Sequence, residues 1–382
     1  MQLIYLDNNA TTQPDPHVVA AMAHSLSQAW GNPSSTHRFG QAARKEIDDA
    51  RAAVARLLGC HDQEIFFTGS GTESTNTAIR GLLASRTPRR KIITTAVEHS
   101  ATRETCGTLG REGFEIVEIP VDREGLLDET TFEAALADDV ALVTLMWANN
   151  ETGVLFPIER LAPLCKARRI PIHVDATQTV GKLPINLAEL GIDAATISAH
   201  KFHGPKGIGA LFTRRGVRLR PHIIGGPQER GRRGGTENVS GIVGMGSAAS
   251  LALEHLSDMP RIRALRDRFE NAVLERIPET RVNGSREHRL PNTSNISFAR
   301  VSAEGILILL SEQGVCASAG AACSSGSLEP SAVIKAMQVE PIYAHGAIRF
   351  SFGRYNTDAD VDRALELLPG VIERLRKVLP VG

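Results

Sequence analysis

Between Glu64 and His200 the chain repeats one pattern: a short apolar run, a polar break rich in Gly, Ser, Thr or Asn, then an amphipathic stretch. The apolar runs are EIFFT (64–68), KIITTA (91–96), FEIVEIP (114–120), VALVTLMW (140–147), IPIHVDA (170–176) and AATISAH (194–200). Their length and β-branched content predict strands. Helices are predicted between them, from GSGTESTN to about Leu83, over EHSATRETCGTLG, near Glu129–Ala137 and over Ile158–Arg169. A further apolar run, Ile208–Phe212, follows the last strand. Apolar strands spaced by helices predict an α/β fold whose mostly parallel sheet is covered on both faces. In such a sheet ligands gather at the carboxyl ends of the strands.

The flanks read differently. Leu3–Leu6 predicts a short strand, followed by the polar turn DNNATT and by Pro14 and Pro16. A helix is expected over Val18–Gln28, then the irregular loop GNPSSTH (31–37). A second helix runs to Leu58, with Ile47, Val54, Leu57 and Leu58 on one face and Gly59 as its stop. Past Leu256 a helix over Arg261–Ile277 precedes the strands NISFA and GAIRFSF, a loop around Cys323, and a terminal helix expected to break at Pro369. These patterns predict a large domain over 16–256 and a smaller α+β domain formed by 1–15 with 257–382.

At 382 residues the chain is long enough for a large core and a second, smaller one. Its 43 basic and 43 acidic side chains cancel, which leaves no general basic field for nucleic acid. No apolar run approaches the length of a membrane span, and Met1–Asp7 lacks the features of a secretory signal, so a cytoplasmic protein is expected. The five cysteines form no CxxC pair and no zinc-like cluster, so no metal is expected.

Four stretches carry candidate chemistry. Lys201 ends a buried run, flanked by His200 and His203 and by the turn residues Gly204, Pro205 and Gly207. Desolvation there lowers an amine's pKa, as a Schiff-base lysine requires; a solvated surface lysine is the plainer alternative. Gly69–Ser74 (GSGTES) offers bare amides at a helix start to a phosphate, although such loops commonly just cap helices. Neither a dinucleotide fingerprint nor a GxxxxGK[ST] loop is present. The strand IPIHVDA delivers Asp175 to its carboxyl end, where it reads equally as a helix N-cap or as the partner of a protonated pyridine nitrogen. Lys201 follows 26 residues later at the next strand end, as an aldehyde cofactor between the two would need. Asn149-Asn150-Glu151 can present an amide to ring substituents, and Ser198 and His200 can add donors to a phosphate. His99 opens a helix, where it either caps or stacks on a ring and moves protons.

Cys323 lies in GAACSSGSLEP, among residues too small to pack it. A reachable thiol there suits nucleophilic sulfur chemistry. Cys316 reads as buried, and Cys60, Cys106 and Cys165 as structural.

Taken together, DNNATT, GNPSSTH, GTESTN, EHSA, MWANNETG, HVDATQTVGK, SAHKFHGPKGIG, RGRRGGTEN and AACSSGSLEPS resemble a cysteine desulfurase of the class V aminotransferase family, from residue 5 to about 355. The likeness is greatest to the nitrogen-fixation type, through MWANNETG and the cysteine loop. It implies a homodimeric pyridoxal 5'-phosphate (PLP) enzyme of fold type I, converting L-cysteine to L-alanine with a persulfide on Cys323 that passes to an iron–sulfur scaffold protein. The resemblance makes Lys201 the Schiff-base lysine, Asp175 the pyridine-nitrogen partner and Gln178 a contact to the ring hydroxyl. His99 would stack on the ring, and Asn150 would touch cofactor or substrate. Gly71, Thr72, Ser198 and His200 would hold the phosphate, with Thr236 reaching in from the partner subunit. Arg349 would grip the substrate carboxylate. Two departures stand out: Ala199 replaces a frequent glycine, and Cys316 is an extra thiol that could act as a secondary acceptor. The rival readings are a housekeeping iron–sulfur or selenocysteine lyase-type PLP enzyme, an aminotransferase, and a catalytically silent sulfur-relay scaffold.

Overall fold

The computed structural model describes residues 3–84, 88–320 and 329–378. Its strands in chain order are β1 (Ile4–Tyr5), β2 (Ile65–Thr68), β3 (Lys91–Thr95), β4 (Glu115–Ile119), β5 (Val140–Met146) and β6 (Ile172–Asp175). They continue as β7 (Ala194–Ser198), β8 (Gly209–Thr213), β9 (Thr280–Asn283), β10 (Thr293–Phe298), β11 (Val315–Cys316) and β12 (Ala347–Ser351). The seven strands β2 to β8 form one sheet in the order β2-β8-β7-β6-β5-β3-β4. All neighbours are parallel except β8, which runs antiparallel to both β2 and β7. The turn between β7 and β8 is too short for a parallel crossover, so the Ile208–Phe212 run returns beside its predecessor.

The first helices are α1 (Pro16–Gln28), α2 (Arg38–Leu58), α3 (Gly71–Leu83), α4 (Ser100–Arg111), α5 (Glu129–Ala135), α6 (Ile158–Ala167) and α7 (Leu187–Leu190). Alternation along the strands sends their side chains to two separate cores. Phe66, Ile92 and Leu142 pack with Ile79 and Leu82 of α3 and Leu109 of α4. Phe67, Ile93 and Val143 face the other way, onto Val54 of α2 and Leu161 of α6. Helix α8 (Val239–Glu254) joins that second core, and the sequence pattern did not announce it because it is built of small residues. Their smallness is what its packing needs. A Cβ on Gly246 would meet the Cβ of Ala50 in α2 at 2.5 Å.

A third core unites the two ends of the chain. Ile4 and Leu6 pack with Phe269 of α9 (Met259–Arg276) and with Phe350 and Leu368. The remaining helices are α10 (Ala303–Glu312), α11 (Ala332–Ala336), α12 (Pro341–Ala344) and α13 (Asp358–Val378). Strands β12, β10 and β9 form an antiparallel sheet, while β1 pairs in parallel with β11. Two elements differ from those the pattern predicts. Strand β9 was not foreseen, and α13 runs unbroken through Pro369. Leu365, Leu368, Val371 and Ile372 are buried on both sides of the proline. Their burial outweighs the roughly 3 kcal/mol an interior proline costs. No helix among the described residues is long and apolar enough to cross a membrane.

Candidate active site

The carboxyl ends of β2, β5, β6 and β7 open onto one cavity of about 360 Å³. At its first edge Ser70 caps α3, its hydroxyl accepting from Glu73 N at 3.1 Å and its carbonyl from Ser74 N at 3.1 Å. The first amides of a helix have no acceptor within it, so those of Gly71 and Thr72 border the cavity with the positive end of the helix dipole behind them. Close approach shapes this edge. A Cβ on Gly209 would lie 2.6 Å from the Ser70 carbonyl carbon, and one on Gly71 would lie 3.2 Å from Ser198 Cβ. Ser198 and His200 line the same cavity. His200 Nδ1 sits 3.1 Å from Thr11 Oγ1, and burial, with Lys201 nearby, pushes its pKa down to about 4. It is a neutral imidazole at pH 7.

Asp175 and Lys201 stand at neighbouring strand ends, since β6 and β7 are parallel with Asp175 opposite Thr196. Both line the cavity. Asp175 is 8% exposed, and its Oδ1 accepts from Thr177 N at 2.9 Å. It therefore caps the following turn and faces the cavity at once. Lys201 Nζ donates to the carbonyl oxygens of Asn9 (2.7 Å) and Ala10 (2.8 Å), so the DNNATT turn closes over the lysine. Gln178 lines the cavity beside them, its Nε2 donating to the same Asn9 carbonyl at 3.0 Å.

His99 also does two things. Its Nδ1 accepts from Ala101 N at 3.1 Å, capping α4, while the ring borders the cavity. That bond leaves the proton of the neutral ring on Nε2. Burial lowers its pKa and Asp175 only partly opposes the shift. The two asparagines after β5 divide their labour: Asn149 Oδ1 accepts from Glu151 N and Thr152 N, both at 2.9 Å, and Asn150 lines the cavity. Arg349, at 2% exposure, donates to the Asn150 carbonyl (3.0 Å) and to Asp7 Oδ1 (2.7 Å). The residue lines the cavity, while its Nε is buried with no hydrogen-bond partner among the described residues.

Three buried titratable residues around this site were not singled out from the sequence. Glu98 is almost fully buried; its Oε1 accepts from Met146 N (2.8 Å) and Thr95 Oγ1 (3.0 Å). Burial pushes its carboxyl up to about 8. His173, between Thr144 and Thr196 hydroxyls at 2.8 and 2.9 Å, is pushed down to about 4 by burial. Lys182 is buried against Gln178. Gln178 and Lys182 meet because the chain after β6 turns back on itself between them.

Other expected residues lie elsewhere. Thr236 does not line this cavity in its own chain. It stands exposed on a second cavity of about 240 Å³ with Gly69, Arg233 and Glu237. Cys323 lies outside the described residues. Cys316 is half-buried rather than buried because β11 is an edge strand, and burial together with Asp7 raises its thiol pKa. Cys106 and Cys165 are buried, whereas Cys60 is half-exposed.

Strand ends bearing an amine, a carboxylate and a helix N-terminus around one cavity define a class of enzyme rather than a single member. The chain belongs to the class V aminotransferase family, whose sequence model, Aminotransferase class-V, matches residues 4–364. It is 52% identical to cysteine desulfurase 2 of Trichormus variabilis over 380 residues, covering 100% of this chain and 96% of that protein. It is 47% identical to cysteine desulfurase NifS of Azotobacter vinelandii, covering 99% and 94%. A solved NifS-like protein superposes with a TM-score of 0.91 at 38% identity, covering 99% of this chain and all of that one. The fold is accordingly the fold type I of PLP-dependent enzymes.

The residues around the cavity fit PLP. Open amides at α3 suit a phosphate, the Asp175 carboxylate suits a protonated ring nitrogen, and the Lys201 amine suits an aldehyde. Arg349 brings a guanidinium to the cavity lining, which suits an anionic substrate group.

Proposed function

We propose that the protein is a PLP-dependent cysteine desulfurase that converts L-cysteine to L-alanine and retains the sulfur as a persulfide on Cys323. The observation that carries this reading is the single cavity shared by Asp175, Lys201 and Arg349. A silent relay scaffold has no use for that set, and an aminotransferase has no use for the thiol of the AACSSGS loop.

PLP, when bound, supplies an electron sink for charge developing at the substrate's α-carbon. Gly71, Thr72, Ser198 and His200 would hold its phosphate, and Asp175 would keep its ring nitrogen protonated. His99 would stack on the ring, with Asn150 and Gln178 donating to its substituents. Lys201 would hold the aldehyde carbon, and its Nζ would be the base for the substrate's α-proton. Arg349 grips the substrate carboxylate and so sets which bonds face Lys201. The Cys323 thiolate attacks the sulfur of the substrate, whose carbon–sulfur bond breaks with its electron pair retained on the carbon side. The β-carbon then takes a proton, the α-carbon regains the one held on Lys201 Nζ, and alanine leaves.

The rest of the reading extends from the resemblance. The large domain would span 16–256 and the small one 1–15 with 257–382, which accords with Ile4 and Leu6 sharing a core with Phe269 and Leu368. A homodimer would bring the partner subunit's Thr236 to the phosphate. Its exposure, away from the cavity of its own chain, favours that role. An iron–sulfur scaffold, in nitrogenase cluster assembly and in the cytoplasm, would receive the sulfur. Equal yields of alanine and of sulfide from cysteine, in the presence of a thiol reductant, test the activity. Keto acid formation in place of alanine would make the protein an aminotransferase instead.

A further inference from the structure

One charged residue of the HVDATQTVGK run has no part in the chemistry above. Lys182 is 7% exposed, and no carboxylate pairs with it among the described residues. An unpaired buried lysine is expensive unless its hydrogens are satisfied. Both acceptors it has belong to residues at the site. Nζ donates to Gln178 Oε1 at 2.7 Å and to Asn9 Oδ1 at 3.3 Å. Gln178 in turn donates from Nε2 to the Asn9 carbonyl, the acceptor that Lys201 also uses. A flipped Gln178 amide would set its NH2 against the Lys182 donor and its oxygen against the Asn9 carbonyl, two repulsive contacts. The orientation is therefore fixed by chemistry rather than by shape.

Lys182 itself does not line the cofactor cavity; it stands behind Gln178. The backbone holds it there. Lys182 N donates to Thr179 O at 3.0 Å, and a Cβ on Gly181, whose φ is +74°, would come within 2.9 Å of Phe202 Cβ beside Lys201. Burial, and the charges of Lys201 and Arg349, depress the Lys182 pKa well below the ordinary lysine value. An amine that sheds its proton there still has hydrogens for both acceptors.

We propose that Lys182 is a positioning residue, locking the Gln178 amide so that one N–H is committed to Asn9 and the other is turned to the cofactor's ring oxygen. The inference rests on Gln178 facing that oxygen, as read above. A donor there stabilises the anionic oxygen and opposes protonation beside it. Without Lys182 the amide loses its reason to prefer one face.

The test is a pH titration of the visible absorbance of the cofactor-loaded enzyme, without substrate, for Lys182→Met, Gln178→Ala and the double variant. Each single change is expected to raise the midpoint by about one pH unit, roughly tenfold in proton affinity. The double variant is expected to shift no further than Gln178→Ala alone. Additive shifts, or an unmoved Lys182→Met, overturn the proposal, because the lysine then acts through its field or not at all. An unmoved Gln178→Ala with a shifted Lys182→Met shows instead that the reading of Gln178 is at fault. Should Lys182→Met not load, Lys182→Gln keeps an N–H donor and is expected within about 0.3 of the wild-type midpoint. A shift as large as that of Gln178→Ala overturns the proposal.

Discussion

Lys201 Nζ lies 2.7 Å from the carbonyl oxygen of Asn9, a residue 192 positions earlier in the chain. Asn9 is fixed from several sides: its side-chain amide donates to Thr293 Oγ1 (2.9 Å) and to the Asn150 carbonyl (3.2 Å), and its Oδ1 accepts from Asn292 (3.0 Å). The amine that would carry the cofactor is thus parked on a turn anchored to the C-terminal part of the fold.

Arg349 separates binding from colour. Arg349→Lys cannot reproduce a bidentate grip on a carboxylate. The expected result is a KM for cysteine raised about 30- to 100-fold, corresponding to roughly 2–3 kcal/mol, with the visible absorbance of bound cofactor retained. Steady-state kinetics over a wide cysteine range checks it. An unchanged KM removes Arg349 from the substrate site.

Glu98 gives a pH signature in stability. Below the ordinary glutamate value both folded and unfolded chains hold its proton. As pH rises towards about 8 the unfolded chain ionises while burial keeps the folded one protonated, so the wild type loses stability across that window. Glu98→Gln does not titrate. On the cofactor-free protein its advantage over wild type is expected to be near zero at pH 4.5 and to grow to about 4 kcal/mol at pH 8. Thermal melts at a series of pH values read the difference. A gap that shrinks with pH contradicts the assignment.

The two C-terminal cysteines are expected to behave oppositely. Cys323→Ala keeps the bound cofactor's colour and forms no persulfide. Cys316→Ala forms it at close to the wild-type rate, because the raised thiol pKa of Cys316 disfavours a thiolate and Cys316 does not line the cavity. Persulfide labelling with an alkylating probe and peptide mapping distinguishes them. Label on Cys316 in the wild type would restore it as a secondary acceptor.

Much of this was legible in the residue pattern, for a physical reason. Buried parallel strands must be apolar along their length, and their carboxyl ends are where polar groups can emerge, so Asp175 and Lys201 were conspicuous against IPIHVDA and AATISAH. Helix α8 and strand β9 were not legible. The first is made of small residues whose value lies in contact with α1 and α2, and the second is four half-polar residues stabilised by pairing with β10. At Pro369 the local preference for a break is overridden by burial of Leu368, Val371 and Ile372, which nothing in the local sequence displays. Glu98 and Lys182 look like surface charges in one dimension. Only the fold turns them inward, Glu98 onto β5 and Lys182 onto Gln178.

The central claim is that Lys201 is the amine that binds the cofactor. Borohydride reduction of the purified yellow enzyme, followed by proteolysis and mass mapping, measures this directly. The account expects a single reduced cofactor adduct on Lys201, absent from Lys201→Ala. An adduct on Lys206, which lines the same cavity, or one that persists in Lys201→Ala, would contradict it.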